Sequence, residues 1–584
     1  MTRLFCFWRI KTEMTSEALK QYQREQRAKC LQAILESPAK KKLIVAGAGT
    51  GKTYTFGRLI EQRKGGNNLA MTFIRKLVAD MHVALKGNAE VKTFHAYCKK
   101  TLHGKYGAFE LTGFLPALVD KDATLLNKNL GNFAAKFQML DEQSPAIEFY
   151  LQRSDYYNAV GFDDAVYRLL KEIQTTPGIL PEFDQIVIDE FQDFNPMEVA
   201  FIEELSKRGD ILIVGDDDQA VYNDRSASPV HLRKLYASSE FEKFELPFCS
   251  RCTEVVIEAT KGLIKRATLC GYLNGRIPKN YECFLDDKAS DSERYPKIVV
   301  ANCTTGKNFA KYVNREIVNI DASDIAESHA EGKEYPTVLI VGKRHYLREI
   351  QKQLRLSHAQ IAYTPSSSVA YGVIDAYKQL IPNERSNLGW RILMELFLDE
   401  ETQHRVVEGS LSGKPIIDLI PSDFVTRQMR VIELVQSVRS KYLSAQAVED
   451  ELRGLVGKDL ATLVLNFIRE TDTPVPKIDE KLPTILLTSF KGCKGLSAGH
   501  VFIVGVHNSC MPNDNRNLED VEISQFIVAL TRTRKQCHIL SNDWRGAPCD
   551  KKGFIPPFEA SLFVNWIPRE LVEDRGKLRA QDFK

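Results

Sequence analysis

The sequence predicts an α/β fold with parallel sheets, and three observations support this class. Short apolar segments alternate with segments of helical periodicity along most of the 584 residues. One apolar segment ends in a glycine-rich loop followed by lysine and threonine, and another ends in two consecutive carboxylates. Such polar residues gather where the carboxyl ends of parallel strands meet. With 43% hydrophobic residues, the chain can bury several cores.

The apolar segments fall into two groups of predicted strands, and two mainly helical insertions interrupt them. The first α/β domain is predicted at residues 1–98 and 160–248, with a helical insertion at 99–159. The second is predicted at 249–370 and 482–584, with a helical insertion at 371–481 and a linker at Thr471–Pro476. The predicted strands are Leu43–Val45, Leu69–Phe73, Ile186–Ile188 and Ile211–Val214, then Ile298–Val300, Val338–Val341, Ile485–Leu487, Val501–Val504 and Cys537–Leu540.

The glycine-rich loop, I-V-A-G-A-G-T-G-K-T at Ile44–Thr53, is predicted to bind the phosphates of a nucleotide. Its glycines let backbone N–H groups turn toward a polyphosphate, and the following helix adds its positive end. Lys52 can neutralise the outer phosphates, and the Thr53 hydroxyl can hold Mg²⁺. A purely structural glycine turn is the alternative, but it does not explain the G-K-T. The predicted contacts are Ala46, Gly47, Ala48, Gly49, Thr50, Gly51, Lys52 and Thr53.

The acidic pair follows the predicted strand Ile186–Ile188 and indicates hydrolysis of that nucleotide. Asp189 is expected to bind Mg²⁺ through water, and Glu190 to orient and deprotonate the attacking water. An acidic pair after a strand is often only a solvated loop. Because a phosphate loop precedes it in the same chain, the catalytic interpretation is favoured.

The amino-acid composition indicates more about the cellular compartment of the protein than about its substrate. The 79 basic and 76 acidic residues give a net charge of +3, which neither indicates nor excludes a nucleic acid partner. The 12 cysteines have no disulfide-like spacing, which favours a reducing cytoplasm. No segment has the length of a membrane span. The apolar start, Met1–Ile10, is too short for a signal peptide, and Met14 is a second candidate start.

At Asp189–Asp193 the sequence D-E-F-Q-D resembles the second motif of the UvrD/Rep/PcrA group of superfamily 1 DNA helicases. The phosphate loop also matches that group, including Ala46, which departs from the strict phosphate-loop pattern. Further motifs follow in the group's order, so the resemblance extends from Gln26 to about Leu540. These are Thr72-Phe73 with Lys76, Thr93-Phe94-His95, Gly161–Asp164, Gly215–Gln219 with Tyr222 and Arg225, Lys494–Leu496, and Val528–Arg532.

The resemblance implies two RecA-like domains with ATP and Mg²⁺ in the cleft between them. It implies hydrolysis that drives 3′–5′ movement on single-stranded DNA and unwinding of tailed duplexes in repair or recombination. Gln219 matches the γ-phosphate sensor, and Arg251 and Arg532 match two arginines that approach the γ-phosphate. Gln26 is the candidate that contacts adenine, with Gln23 and Gln32 as alternatives. The implied catalytic set is Lys52, Asp189, Glu190, Gln219, Arg251 and Arg532.

The departures from the group concern stacking residues. The group holds adenine between an arginine after the G-K-T and a tyrosine before the fourth-motif arginine, whereas this chain has Tyr54 and Ser250 there. Tyr54 is therefore predicted to stack on adenine. Asp224 replaces a tryptophan that stacks on a DNA base, Lys491 replaces a histidine, and Ser497-Ala498 replaces Glu-Phe. The predicted DNA contacts are Thr72, Phe73, Phe94, His95, Tyr222, Arg225 and Lys491.

Two other patterns are interpreted without a metal. Cys249-x-x-Cys252 lacks the second ligand pair of a zinc site, and the consecutive carboxylates of Asp216–Asp218 are not expected to face one ion.

The second insertion is shorter than in the large repair helicases. An alternative function is therefore a DNA-stimulated ATPase subunit of a nuclease complex or of a Gabija-like bacterial antiviral defence complex, with weak unwinding on its own. A nuclease or other protein is its expected partner. A fused nuclease is disfavoured because the carboxylates after Leu540 form no nuclease motif.

Overall fold

A computed structural model of the chain describes residues 15–72, 75–330, 335–354, 360–363, 371–469, 481–543 and 559–583. Phe73, the predicted linker Thr471–Pro476 and both candidate start residues lie outside these ranges. Within them, no helix is long and apolar enough to cross a membrane.

The described strands alternate with helices in the order that parallel sheets require. The strands are β1 Lys41–Val45, β2 Asn68–Thr72, β3 Glu90–Thr93, β4 Glu110–Leu111, β5 Ala159–Val160, β6 Phe183–Ile188, β7 Gly209–Gly215, β8 Glu242–Glu245, β9 Phe248–Cys249, β10 Glu282–Cys283, β11 Ile298–Asn302, β12 Val338–Val341, β13 Gln360–Tyr363, β14 Thr484–Thr488, β15 Ala498–Val504, β16 Thr533–Ser541 and β17 Val572–Lys577.

The α-helices are α1 Ser16–Glu36, α2 Lys52–Gln62, α3 Arg75–Leu85, α4 Phe94–Tyr106, α5 Leu115–Leu125, α6 Phe133–Gln138, α7 Pro145–Tyr157, α8 Phe162–Thr175, α9 Pro196–Leu205, α10 Val230–Ala237, α11 Glu254–Leu269, α12 Leu285–Arg294, α13 Lys307–Val318, α14 Ala322–Ser328, α15 Arg344–Gln353, α16 Val373–Leu380, α17 Asn387–Phe397, α18 Glu400–Ser410, α19 Ser422–Arg439, α20 Ala445–Val456, α21 Lys458–Arg469, α22 Asp520–Leu530 and α23 Leu562–Trp566.

The first sheet has six parallel strands in the order β3-β2-β6-β7-β1-β8. Each predicted strand of the first group lies in it, and these strands are buried on both faces, as parallel strands covered by helices must be. The sequence missed β3 and β8, which read E-V-K-T and E-K-F-E. Both are edge strands, where half-exposed positions tolerate charge and hide the apolar signal.

The second sheet has seven parallel strands in the order β13-β14-β12-β15-β16-β11-β17. All five predicted strands of the second group lie in it. The missed strands are again the two edges, β13 and the polar V-E-D-R-G-K of β17. The α/β class with two parallel sheets is therefore confirmed.

The helices of the two predicted insertions pack on one another. One apolar core runs from the first sheet through α5–α8 and on into α16–α21. At its centre Asp122 is fully buried and forms ion pairs with Arg153 at 2.8 Å and Arg391 at 2.7 Å. Asp122 and Arg153 come from the first insertion and Arg391 from the second, so a buried ionic contact joins the two. Separate cores lie on both faces of the second sheet.

Candidate nucleotide and DNA site

The phosphate loop leaves the carboxyl end of β1, which lies inside the first sheet between β7 and β8. Ala46 continues the strand, because its N–H donates to the Gly215 carbonyl at 3.1 Å and its side chain is buried. A glycine is therefore not needed at that position. Gly49 and Gly51 do need to be glycine, since their φ angles are +70° and +90°. The Thr50 hydroxyl closes the loop by donating to the Gly47 carbonyl at 3.0 Å.

The acidic pair lies beside this loop, at the end of β6. Lys52 Nζ is 3.9 Å from one Glu190 oxygen, and Gln192 donates to the other at 2.6 Å. Burial raises the pKa of Asp189, and the adjacent Glu190 charge raises it further. Burial also acts to raise the pKa of Glu190, but the charges of Lys52 and Lys494 outweigh it and lower that pKa. The Thr53 hydroxyl and the Asp189 carboxylate are hard oxygen donors, which fits Mg²⁺.

Lys494 was not among the predicted catalytic residues, although it opens the K-G-L motif. It belongs to the segment between β14 and β15 of the second sheet, and it reaches the first sheet. Its buried ammonium contacts Asp193, donates to the Gln219 carbonyl at 2.6 Å and lies 3.6 Å from Glu190. The motif indicated this segment, but the segment contains two lysines, Lys491 and Lys494, and only the fold shows that Lys494 is the buried one.

Gln219 connects the two sheets at the site. Its amide nitrogen donates to Asp216 at 2.6 Å, and its amide oxygen accepts from Arg532 Nη2 at 2.9 Å. Arg532 is buried, and its Nε donates to the Val528 carbonyl at 2.9 Å. The predicted sensor and the predicted second-domain arginine are thus in direct contact.

Arg251 reaches the same region from the short strand β9. The preceding residue, Ser250, donates its N–H to the Gly49 carbonyl at 2.9 Å. A Cβ at Gly49 would lie 2.4 Å from Arg251 Cβ, so the loop and Arg251 are in close contact. Burial and the nearby Arg251 charge both lower the pKa of Arg532. Arg251 therefore contacts the phosphate loop, and its charge acts on Arg532.

The carboxylates of Asp216–Asp218 do face one cation, so the expectation that they would not is wrong. The ammonium of Lys279 lies 2.5, 2.8 and 2.9 Å from oxygens of the three residues. A 3₁₀ turn at Asp217–Gln219 curls the segment so that the side chains converge. Arg276 adds a bidentate contact to Asp218 at 2.6 and 2.8 Å. Lysine and arginine side chains thus neutralise charge in this cluster.

Tyr54 lines an open cleft beside the loop, where its side chain is 58% exposed. Gln26 is half-buried on α1, but its neighbour Arg27 is the residue that lines the cleft. The alternative Gln23 is buried and bonds Cys283 O and Leu285 N, both at 2.9 Å. The alternative Gln32 bonds Glu36 on its own helix. The remaining lining residues are Cys30, Leu31, Thr50, Gly51, Thr55, Leu246, Pro247 and Phe248.

Two predicted DNA contacts are corrected by their burial. Phe94 is 0% exposed and packs edge-on against Phe194 at 5.6 Å and Phe201 at 4.9 Å, so it is a core residue and cannot stack on a base here. Thr72 is also buried, at the end of the interior strand β2. His95 is half-buried against Phe162, with ring centroids 5.1 Å apart. The T-F-H pattern identifies the segment but not which side chain faces inward.

Among the described residues, the other predicted DNA contacts are Tyr222, Arg225 and Lys491. Tyr222 is half-buried, and Arg225 lies 3.8 Å from Glu198. Lys491 forms an ion pair with Asp224 at 2.8 Å. Lys491 stands where the resembling helicases have histidine, and Asp224 stands where they have tryptophan. The two residues that depart from the group are therefore in contact with each other.

The two cysteines of the C-x-x-C pair contact each other. The N–H of Cys252 donates to the sulfur of Cys249 at 3.4 Å, and both cysteines are buried. Among the described residues, the one group of three or more potential metal ligands is Asp216–Asp218.

Comparisons with known proteins find similar proteins along most of the chain. The family model of the AAA domain matches residues 31–225. The chain is 20% identical to "DNA helicase II" of Haemophilus influenzae, over 92% of this chain and 86% of that protein. It is 23% identical to "ATP-dependent DNA helicase Rep" of Buchnera aphidicola, over 85% and 91%. It is 22% identical to "DNA helicase II" of Escherichia coli K12, over 93% and 87%.

A phosphate loop on one parallel sheet that meets arginines from a second is the arrangement of two-domain P-loop proteins with RecA-like sheets, and this chain is one of them. The ordered motifs, together with alignments that cover 85–93% of this chain, indicate a narrower group within these proteins. The chain is UvrD-like in that it is similar to DNA helicase II and Rep proteins along most of its length.

Proposed function

We propose that the chain is an ATP-dependent DNA helicase that moves 3′–5′ on single-stranded DNA and unwinds tailed duplexes in the cytoplasm. The observation that supports this most is the Asp216–Gln219–Arg532 chain of hydrogen bonds, which joins the two sheets beside the phosphate loop. A nucleotide bound there would contact groups from both sheets. Its hydrolysis would therefore change how the two halves meet, as a translocating enzyme requires.

The chemistry we propose is hydrolysis of the γ-phosphate. Lys52 and the loop N–H groups would bind the phosphates, and Glu190 would orient the attacking water and accept its proton. Thr53 and Asp189 would hold Mg²⁺, which neutralises charge on the phosphate oxygens. Arg251 and Arg532 would stabilise the charge that develops in the transition state, a contribution of roughly 10³–10⁵ in rate for such arginines.

Coupling to DNA would run through the segment between β14 and β15. Lys494 contacts Glu190 and Gln219 on the nucleotide side. Three residues earlier in the same segment, Lys491 pairs with Asp224 on the proposed DNA side. A DNA strand that binds Lys491 would draw this residue away from Asp224. That movement would shift Lys494 and change the surroundings of the Glu190 carboxylate.

The test is ATP hydrolysis and strand separation by the purified full chain. We expect single-stranded DNA to stimulate hydrolysis and a duplex with a 3′ tail to be unwound, while a 5′-tailed duplex is not. Lys52→Ala and Glu190→Gln should each lower hydrolysis at least 100-fold while Glu190→Gln still binds ATP. Hydrolysis that DNA does not stimulate would reject the proposal.

A second candidate is a DNA-stimulated ATPase subunit that needs a nuclease or other partner, in antiviral defence or in a nuclease complex. The observation that favours it is the loss of stacking residues, since Phe94 is buried and Asp224 replaces tryptophan. Base stacking contributes about 1–3 kcal/mol per base, so the grip of the isolated chain on one strand would be weak. Stimulated hydrolysis without unwinding of either tailed duplex would select this candidate.

A further inference from the structure

Tyr281 belongs to none of the motifs that resemble the helicase group, yet its side chain contacts the phosphate loop. It immediately precedes β10 and lies in the apolar core on one face of the second sheet. We propose that the Tyr281 hydroxyl is a positioning group that holds the phosphate loop in the conformation that binds phosphate. This inference rests on the proposed nucleotide site and adds to it a residue from the other half of the molecule.

The buried side chain of Tyr281 contacts the loop through both its hydroxyl and its ring. The hydroxyl donates to the Ala48 carbonyl at 2.9 Å. A Cβ at Gly47 would lie 2.7 Å from two carbon atoms of the ring, so the ring packs directly on the backbone there. This contact requires a glycine at position 47, where φ is not positive. Tyr281 therefore touches two successive residues of the loop.

The hydroxyl belongs to a set of donors that engage three successive carbonyls of the loop. These carbonyls are Gly47, which accepts from the Thr50 hydroxyl at 3.0 Å, Ala48, which accepts from Tyr281, and Gly49, which accepts from the Ser250 N–H at 2.9 Å. Among the described residues, no backbone carbonyl accepts a hydrogen bond from the N–H groups of residues 47–53. The loop thus has its carbonyls engaged by protein and its N–H groups available to an anion.

The engaged carbonyls determine where the N–H groups point. A trans peptide group has its C=O and its N–H on opposite sides, so a donor that holds the C=O also fixes the direction of the next N–H. The bond from Tyr281 to Ala48 therefore directs the N–H of Gly49 away from Tyr281. Backbone N–H groups that point to one side in succession form an anion site.

Of the three donors, Tyr281 is the side chain that comes from outside the loop. Without its hydroxyl, the peptide between Ala48 and Gly49 can rotate, because Gly49 tolerates many backbone conformations. A rotated peptide would present a carbonyl to the phosphates instead of an N–H. The measured affinity would then fall in proportion to the fraction of loops that remain competent.

The surroundings of Tyr281 keep its hydroxyl protonated. Burial raises the pKa of this hydroxyl well above its usual value, and Cys249 raises it further. The Cys249 sulfur lies 3.5 Å from the hydroxyl oxygen, and a Cβ at Gly49 would lie 3.0 Å from the same sulfur. Both residues belong to the same core of the second sheet. The hydroxyl is therefore a donor at neutral pH, held beside the loop by that core.

The competing role for Tyr281 is packing alone, since its ring fills space between the loop and the core. Tyr281→Phe separates the two roles, because it keeps the ring and removes the hydroxyl. A packing role predicts unchanged affinity for phosphates. The positioning role predicts that affinity falls although the ring is retained.

The test is titration calorimetry of the full chain with ADP and with inorganic tripolyphosphate, without DNA. We expect Tyr281→Phe to weaken both ligands by a similar factor, about 3- to 10-fold, which is the usual effect of losing one hydrogen bond. In ATP hydrolysis KM should rise by a similar factor. The kcat should stay within about twofold, because the loop binds the phosphates in the ground state and the transition state alike.

Tyr377→Phe is the matched control. Tyr377 is also buried, and its hydroxyl donates to Gln428 at 2.7 Å within the second insertion. Each variant loses one hydrogen bond of a buried tyrosine, so both should lower the unfolding temperature by a similar amount. Tyr377→Phe should leave both affinities unchanged. Lys52→Ala should weaken both ligands, which reports on the phosphate site itself.

Two outcomes would overturn the positioning role. Unchanged affinities in Tyr281→Phe would leave this residue with packing alone. Equal losses of affinity in Tyr281→Phe and Tyr377→Phe would attribute the effect to lower stability and not to the loop. Failure of the nucleotide site is distinguishable, because Lys52→Ala would then also leave the affinities unchanged. Hydrolysis that DNA does not stimulate would reject the helicase proposal alone.

Discussion

Asp224 and Lys491 show how two substitutions can be understood together once they are seen in contact. Each alone weakens a DNA contact that the resemblance implies. In the structure they form an ion pair between side chains that are 35% and 58% exposed, and ion pairs open to solvent contribute little to stability. A DNA phosphate competes readily for the lysine. We interpret the pair as a contact that single-stranded DNA must replace.

Removing the negative charge of Asp224 should therefore strengthen DNA binding. We expect Asp224→Asn to tighten binding of a single-stranded oligonucleotide several-fold at low salt, because it frees Lys491 and removes a repelling charge. Lys491→Ala should weaken binding and lower the slope of log K against log salt by about one. Fluorescence anisotropy over a salt series measures both, and equal affinities of Asp224→Asn and the unchanged protein would contradict the interpretation.

At the residue scale, the sequence predicted the groups whose chemistry is tied to a fixed spacing. The loop glycines, Lys52 and the acidic pair lie where the pattern placed them. Phe94 and Lys494 could not be assigned, since a motif records residue type and not the direction of a side chain. Tyr281 could not be found at all, because it approaches the loop from a segment that carries none of the motifs.

At the scale of elements, interior strands were predictable and edge strands were not. An interior strand of a parallel sheet is apolar throughout, whereas β3, β8 and β17 carry charges on their exposed side. The 3₁₀ turn after β7 was missed for a different reason. Its geometry depends on Lys279, which is distant in sequence, and on the three carboxylates that it brings together.

Lys279 is the buried cation that the three carboxylates of this turn share. We expect Lys279→Met to destabilise the protein by about 3–5 kcal/mol, because it leaves buried carboxylates without their central cation. Urea unfolding measures the change. Lys261→Met, which breaks a surface pair with Glu258, should cost less than about 1 kcal/mol. Similar losses in both variants would show that the cluster is not held by its lysine.

At the scale of the whole molecule, the two insertions and the first sheet share one core. The sequence predicted both insertions as helical, but helical periodicity does not reveal which helices face each other. The buried Asp122, shared by Arg153 and Arg391, defines that contact. Both insertions should consequently unfold together with the first sheet.

Asp122→Asn tests this coupling. The change leaves two buried guanidiniums without their shared carboxylate, so we expect a loss of about 3–5 kcal/mol in unfolding free energy. Hydrogen exchange should become faster in both α5 and α17. Asp120→Asn, an exposed position on the same helix, should change neither quantity. Faster exchange confined to the first insertion would argue against a joint unit.

The order of strands in the second sheet also bears on how the protein is made. Strand β11 begins at residue 298, but its two neighbours, β16 and β17, begin at residues 533 and 572. When β11 leaves the ribosome, neither partner has been synthesised. Such distant pairing is slow to form and leaves apolar strand edges uncovered in the meantime. The second sheet is therefore completed only after β17 has been translated, more than 270 residues after β11 begins.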